Sequence, residues 1–234
     1  MVTLYTVPGA WGLPSISPFC VKLETWLRMA GVAYQVKGGG PNKAPKGKIP
    51  FVEHDGKMLG DSQLILEHLT EVYGVKMDAA LSPEARARAH VTRRMLEEGS
   101  YWALVHARWI AEPGWAHYKP VFLTILPPVI GSLIVHLIRR DVRGTLGAQG
   151  TGRHTAAEIE ALGVADVNAL ATLLGEQPYF LGAEPTSVDA TVYAFVASIL
   201  GFPGEGAIRT AAAGHANLVA YRARMEARFW PSQS

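Results

Sequence analysis

Apolar and polar positions alternate over VTLYTV, residues 2–7, and the run stops at Pro8-Gly9. That pattern predicts a short strand closed by a turn. From Pro18 the period lengthens: Leu23, Trp26, Leu27 and Ala30 share one helical face, and Gly31 stops it, so a helix is expected from Pro18 to about Ala30. VAYQVK reads as a second strand, followed by the Gly/Pro/Lys segment GGGPNKAPKGK. IPFVEHDGKML places two short apolar runs around Asp55-Gly56, the signal of a hairpin turn. DSQLILEHLTEVYG then reads as a helix with Asp61 or Ser62 as cap and Gly74 at its end. The expected order is β-α-β followed by β-β-α.

Beyond Gly74 the patterning is helical. VKMDAALSP reads as a linker, and Ser82-Pro83-Glu84 starts a helix with proline at its first position. Thr155 and Glu158 fit a capping box on a helix that closes at Gly175. PTSVDATVYAFVASILG opens with Thr186 as cap and Asp189 three residues on, then runs almost wholly apolar. HANLVAYRARMEARFW is a last amphipathic helix, with Arg222, Arg224 and Arg228 as its solvated face. QGTGRH, with no strand leading into it, is a structured turn and not a phosphate loop. The stretch Val121–Ile138 approaches the length of a bilayer span, but Pro127 and Pro128 sit at its middle. Adjacent prolines break a spanning helix where no water can satisfy the freed carbonyls. Two buried helical segments or an interface are expected there, and no membrane span. The fold expected is a small α/β domain over residues 1–75 and an all-α domain over residues 82–234.

Composition narrows the function classes. Of 234 residues, 49% are hydrophobic and 18% charged, which is globular and not disordered. With 22 basic and 20 acidic residues the net charge is +2, so no electrostatic case for nucleic acid exists. The N-terminus lacks a signal-peptide pattern. A single cysteine allows no internal disulfide and suits a reducing, cytoplasmic setting. The histidines show no metal-ligand spacing, so no metal is expected.

Three short stretches carry candidate chemistry. In KIPFV, Pro50 cannot donate to a central ladder. It is either an ordinary strand-entry proline or a cis proline that turns the backbone of Ile49 outward toward an extended peptide. Asp61-Ser62 stands where a helix start needs caps, and the same free N–H groups and side chains suit the charged head of an amino acid. SPFC, residues 17–20, places a serine at a helix start with the chain's lone cysteine three residues later. Ser17 either caps the helix or presents its hydroxyl to a ligand. Cys20 is either a packing residue or a thiol favoured by the helix dipole.

Together, a Ser/Cys-Pro-aromatic helix start, an x-Pro-x-Val strand after a loop, an acidic-Ser pair and PTSVDATVYAF resemble the glutathione transferases. SPFCVKLETWLRMAG, GKIPFVEHDGKMLGDSQLILEHL, QGTGRH and PTSVDA resemble more narrowly the failed-axon-connections and metaxin-related branch. The resemblance implies a thioredoxin-like N-terminal domain followed by an all-helical bundle, with glutathione as co-substrate and a small hydrophobic electrophile as second substrate. It implies that Ile49 beside Pro50 pairs with the cysteinyl backbone, that Asp61 and Ser62 bind the γ-glutamyl head, and that Lys48 or Lys46 reaches the glycyl carboxylate. Ser17 stands where glutaredoxins and omega-type transferases carry a cysteine, and a serine there can donate to the bound thiolate. Tyr101, Trp102, Val105 and Trp109 recur at helical spacing and, with Trp11 from the first loop, are candidates to line the second pocket. The resemblance also implies a homodimer. Its rival is a non-catalytic glutathione-binding or protein-interaction module of the metaxin type.

Overall fold

Val2 and Leu4 are fully buried, and the strand that carries them, β1 (Val2–Thr6), lies inside a four-stranded mixed sheet. In the computed structural model, which describes residues 1–231, β1 pairs in parallel with β2 (Tyr34–Gly38) and antiparallel with β3 (Phe51–His54). β3 continues through a tight turn into β4 (Lys57–Gly60), giving the order β2-β1-β3-β4. Asp55 and Gly56 at that turn both have positive φ, at 49° and 73°, which is the backbone a two-residue hairpin requires and why Asp-Gly supplies it. Helices α1 (Pro18–Met29) and α2 (Ser62–Tyr73) cover the sheet. Leu23, Trp26 and Leu27 of α1 join Ile65, Leu66 and Leu69 of α2 and the sheet's Val2, Leu4 and Val52 in one apolar cluster.

The rest is helical, as the sequence leads one to expect. A rod runs from α3 (Pro83–Arg94) through a π-helical turn, Met95–Ser100, into α4 (Tyr101–Val105) and a second π turn, His106–Ile110. It is followed by α5 (Glu112–Leu123), α6 (Gly131–Gln149), α7 (Ala156–Leu174), α8 (Ser187–Gly201), α9 (Ala207–Gly214) and α10 (Ala216–Phe229). Gly114 lets α5 start directly against the second π turn, because a Cβ there would collide with the carbonyl of Ala107.

α8 is the axis of the molecule. Every residue from Val188 to Ile199 is buried, which accounts for its unbroken apolar sequence. It packs on α1 on one side and on α10 and α9 on the other. Asp189, wholly buried near its start, accepts hydrogen bonds from the Thr186 and Phe180 N–H groups, both at 2.8 Å, and from the Tyr221 hydroxyl at 3.0 Å. One carboxylate thus joins the helix cap, the preceding loop and α10.

Two expectations need correction. The apolar stretch Val121–Ile138 does form two helical segments separated around Pro127 and Pro128, but much of it is not buried, which overturns the buried alternative and not the interface one. Leu123, Ile125, Val129, Ile130, Leu133 and Leu137 are exposed, Val129 to 93%. The amphipathic α6 turns only one face inward, with Val135 at its centre. No helix among the described residues is long and apolar enough to cross a membrane. The arginines of α10 are also not merely solvated. Arg222 pairs with Glu226 at 2.7 Å, Arg224 donates to the Pro178 carbonyl at 2.7 Å, and Arg228 pairs with Glu184 at 2.9 Å.

Each buried donor stranded without a partner costs about 1–3 kcal/mol. Asp189→Ala should therefore lower the unfolding free energy by at least about 3 kcal/mol, read as an earlier urea midpoint. Asp189→Asn, which keeps acceptor oxygen, should lose less; equal stability for all three proteins would show that the donors find other partners.

Candidate functional site

A cleft of about 630 Å³ opens at the junction of sheet and helices. Its walls come from the start of α1 (Phe19), the approach to β3 (Lys48, Ile49, Pro50), the start of α2 (Asp61, Ser62) and the rod (Arg93, Glu97, Tyr101, Trp102). The Ile49–Pro50 peptide bond is cis, so the strand-entry alternative of ordinary geometry does not apply. Asp61 sits at φ 84° and ψ 117°, a conformation few side-chain-bearing residues adopt. Its Oδ1 accepts from the N–H groups of Gln63 and Leu64 at 3.0 and 3.1 Å, capping α2. The cap uses one carboxylate oxygen, and Asp61 is exposed at the cleft. Lys48 is exposed at the rim.

Beneath Ser62 lies a residue that sequence reasoning missed. Lys22 of α1 is 0% exposed, and its ammonium donates to Glu97 Oε1 at 2.6 Å, Gln63 Oε1 at 3.0 Å and Ser62 Oγ at 3.3 Å. Glu97 also accepts from Arg93 at 3.2 Å. Burial pulls the Lys22 pKa below its ordinary value, and the Glu97 charge pulls it back. The available signal was spacing: Lys22 stands four residues before Trp26, on the face that α1 buries.

A second, smaller cavity of about 160 Å³ adjoins the cleft across Tyr101, which borders both. Ser17, Val105, Arg108, Trp109 and Tyr118 are among its other walls. Ser17 occupies the N-cap position of α1 in extended conformation, yet its hydroxyl caps no N–H group. Cys20, one turn on, is 1% exposed. Burial pushes its thiol pKa up, against hydrogen bonds involving Thr6, Val7, Ser17 and Ser15 that act in the other direction. Arg108 is 4% exposed and donates to the Ile16 carbonyl at 3.0 Å and the Ser198 carbonyl at 2.7 Å. Burial lowers its pKa and raises those of Tyr118 and Tyr101, the last to about 12.

The expected pocket residues therefore divide. Trp102 lines the cleft, Val105 and Trp109 line the small cavity, and Trp11 lines neither. Trp11 instead packs on Tyr118 and Phe202, with ring centroids 5.9 and 5.0 Å away. The two π turns supply Glu97 and Arg108 to these spaces, each inserting a residue that rotates the following turn. Among the described residues no group of side chains could hold a metal ion.

Comparison with known proteins shows what the chain is similar to. Residues 18–114 match the family model of the glutathione S-transferase N-terminal domain, and residues 163–225 match that of the glutathione S-transferase C-terminal domain. An isoprene-epoxide–glutathione S-transferase of Rhodococcus sp. (strain AD45) is 32% identical over 98% of this chain and 99% of its own. Failed axon connections of Drosophila melanogaster is 32% identical over 85% of this chain but only 50% of its own length. Human metaxin-1 is 25% identical over 97% of this chain and 51% of its own. The beta-etherase LigF from Sphingobium sp. strain SYK-6 superimposes with a TM-score of 0.67 at 18% identity, over 97% of this chain and 95% of its own.

A thiol so enclosed should resist reagents. A chromogenic disulfide reagent should label Cys20 stoichiometrically in denaturant and scarcely at all over an hour in native buffer. Native labelling within minutes would show that the α1 start opens readily.

Proposed function

The chain belongs to the glutathione S-transferase family, and from that premise we propose that it ionises the thiol of glutathione and adds it to a small hydrophobic electrophile. The observation that carries the proposal is the hydrogen bond from Lys22 to Ser62 Oγ. The buried ammonium fills an acceptor position on that oxygen, which leaves the hydroxyl proton free to be donated into the cleft. A γ-glutamyl carboxylate is the matching acceptor, with the Asp61 carboxylate facing its ammonium. The backbone of Ile49, which makes no backbone hydrogen bond among the described residues, pairs with the cysteinyl unit, and Lys48 reaches the glycyl carboxylate.

This places the ligand's sulfur near the start of α1. Ser17, whose hydroxyl is not used as a cap, donates to the thiolate, and the helix dipole adds to the stabilisation. The thiol proton leaves to solvent and the sulfur attacks the electrophile's carbon. Cys20 acts as packing. The small cavity beside Ser17, with Val105 and Trp109 in its walls, receives the electrophile. Its modest volume and the Rhodococcus relative's isoprene epoxide support a small substrate. The proposal takes residues 1–75 as the glutathione-binding unit, residues 82–234 as the helical unit, and the protein as a cytoplasmic homodimer. A second reading, a glutathione-binding or protein-interaction module without turnover, is favoured by the likeness to failed axon connections and metaxin-1. The exposed apolar residues of Leu123–Leu137 point the same way.

Ser17→Ala should raise the pKa of bound glutathione, seen as lost thiolate absorbance, and lower kcat/KM at neutral pH by about tenfold or more. A hydrogen bond to a charged group is worth about 1.5–3 kcal/mol. Cys20→Ser should change both little. The reverse pattern would make Cys20 the working thiol, and wild-type protein that binds glutathione but conjugates nothing would favour the second reading.

Ser62→Ala should weaken glutathione binding by about 1.5–3 kcal/mol. Melting without ligand isolates any loss of helix stability; unchanged affinity would reduce Ser62 to a structural residue.

A further inference from the structure

Arg108 brings a full positive charge into the interior without a counter-ion. None of the ion pairs among the described residues includes it. Its two terminal nitrogens donate to the carbonyls of Ile16 and Ser198, and its Nε has no partner among the described residues. The rings of Phe202 and Tyr118, with centroids 5.2 and 5.9 Å from its guanidinium carbon, offset part of the burial cost. A buried cation with no carboxylate nevertheless remains costly, and the contrast with Lys22, which meets Glu97 at 2.6 Å, is direct. Arg108 also lines the small cavity that holds Ser17, beside the hydroxyl-bearing rings of Tyr101 and Tyr118. The remaining walls, Leu104, Val105 and Trp109 among them, are chiefly apolar. A buried cation in the wall of a chamber whose other polar groups are neutral hydroxyls suits a ligand that is neutral on entry and becomes negative there.

We infer that Arg108, assisted by Tyr118, forms an oxyanion site for the electrophile, selecting small molecules whose reaction with a thiolate leaves negative charge on oxygen. The inference rests on the proposed thiolate chemistry and names its second substrate class. For a strained cyclic ether the step balances as follows. The sulfur forms a bond to a ring carbon, the carbon–oxygen bond breaks, and its electron pair stays on the oxygen. The oxygen, held by the guanidinium, then takes a proton from solvent, replacing the one the thiol released on binding. The sum is thiol plus cyclic ether giving a hydroxy-thioether. An alkyl halide follows the same attack, but its charge leaves with the halide and needs no oxyanion site. The volume of about 160 Å³ fits a molecule of benzene's size, which fills a cavity of about 150 Å³.

The test compares 1,2-epoxybutane with 1-iodobutane as electrophiles for the wild-type protein and for R108Q, R108K and Y118F. R108Q should lower the epoxide-to-iodide ratio of kcat/KM by about a hundredfold, the low end of the range seen when one oxyanion donor is removed. R108K should recover part of that ratio, and Y118F should lower it less. A parallel fall for both electrophiles would mean that Arg108 only ties Ile16 to Ser198, and an unaltered ratio would equally overturn the assignment. Should R108Q fail to fold, the wild-type protein still decides. Acetate should inhibit competitively against 1,2-epoxybutane while acetamide does not, and equal inhibition by the two, or by neither, would contradict a cationic site. Failure of the underlying reading looks different: the wild-type protein would then conjugate neither probe.

Discussion

The ammonium of Lys22 is the group on which the cleft depends. Taking it out of water costs several kcal/mol, and the cost is offset by the Glu97 carboxylate, the Gln63 amide oxygen and the Ser62 hydroxyl. Those partners come from separate elements: α2 supplies Gln63 and Ser62, and the first π turn supplies Glu97. The bond network therefore fixes the start of α2 and the helical rod against α1 at one point, directly beneath the cleft. Without it, Glu97 would keep only Arg93, and nothing would hold the Ser62 hydroxyl proton toward the opening.

The helical rod serves this arrangement through irregularity. A plain α-helix from Pro83 to Ile110 would repeat its faces every 3.6 residues, whereas the two π turns offset that register twice. The first puts Glu97 on Lys22, and the second puts Arg108 against Ile16, next to Ser17. One buried cation meets a carboxylate and the other does not, and the ring of Tyr101 borders both the cleft and the small cavity. Binding and chemistry thus draw on the same structural device.

Elements were legible wherever local chemistry alone decides them. The alternation of β1, the Asp-Gly turn, the caps at Ser82 and Thr155 and a cap at Asp61 or Ser62 needed no tertiary information. The juxtaposition of Ile49-Pro50 with Asp61-Ser62 was legible only through family resemblance, since no spacing rule brings a strand entry to a helix start. Lys22 was missed because a lysine within an amphipathic helix ordinarily reaches solvent, and only a distant carboxylate makes its burial tolerable. The π turns left no trace, because a single inserted residue barely disturbs an apolar pattern. Whether the Leu123–Leu137 stretch is buried or forms an interface was not legible, because hydrophobicity says what a segment can bury and not what covers it.

Glutathione should lose its thiol proton as it settles against Ser17. Calorimetric titration of the native protein near neutral pH, repeated in buffers of differing ionisation enthalpy, reads that proton directly. Glutathione should bind one site per chain with net proton release, while S-methylglutathione should bind with less release because it has no thiol to ionise. No binding, or identical buffer dependence for the two ligands, would contradict a cleft built to hold and activate this tripeptide.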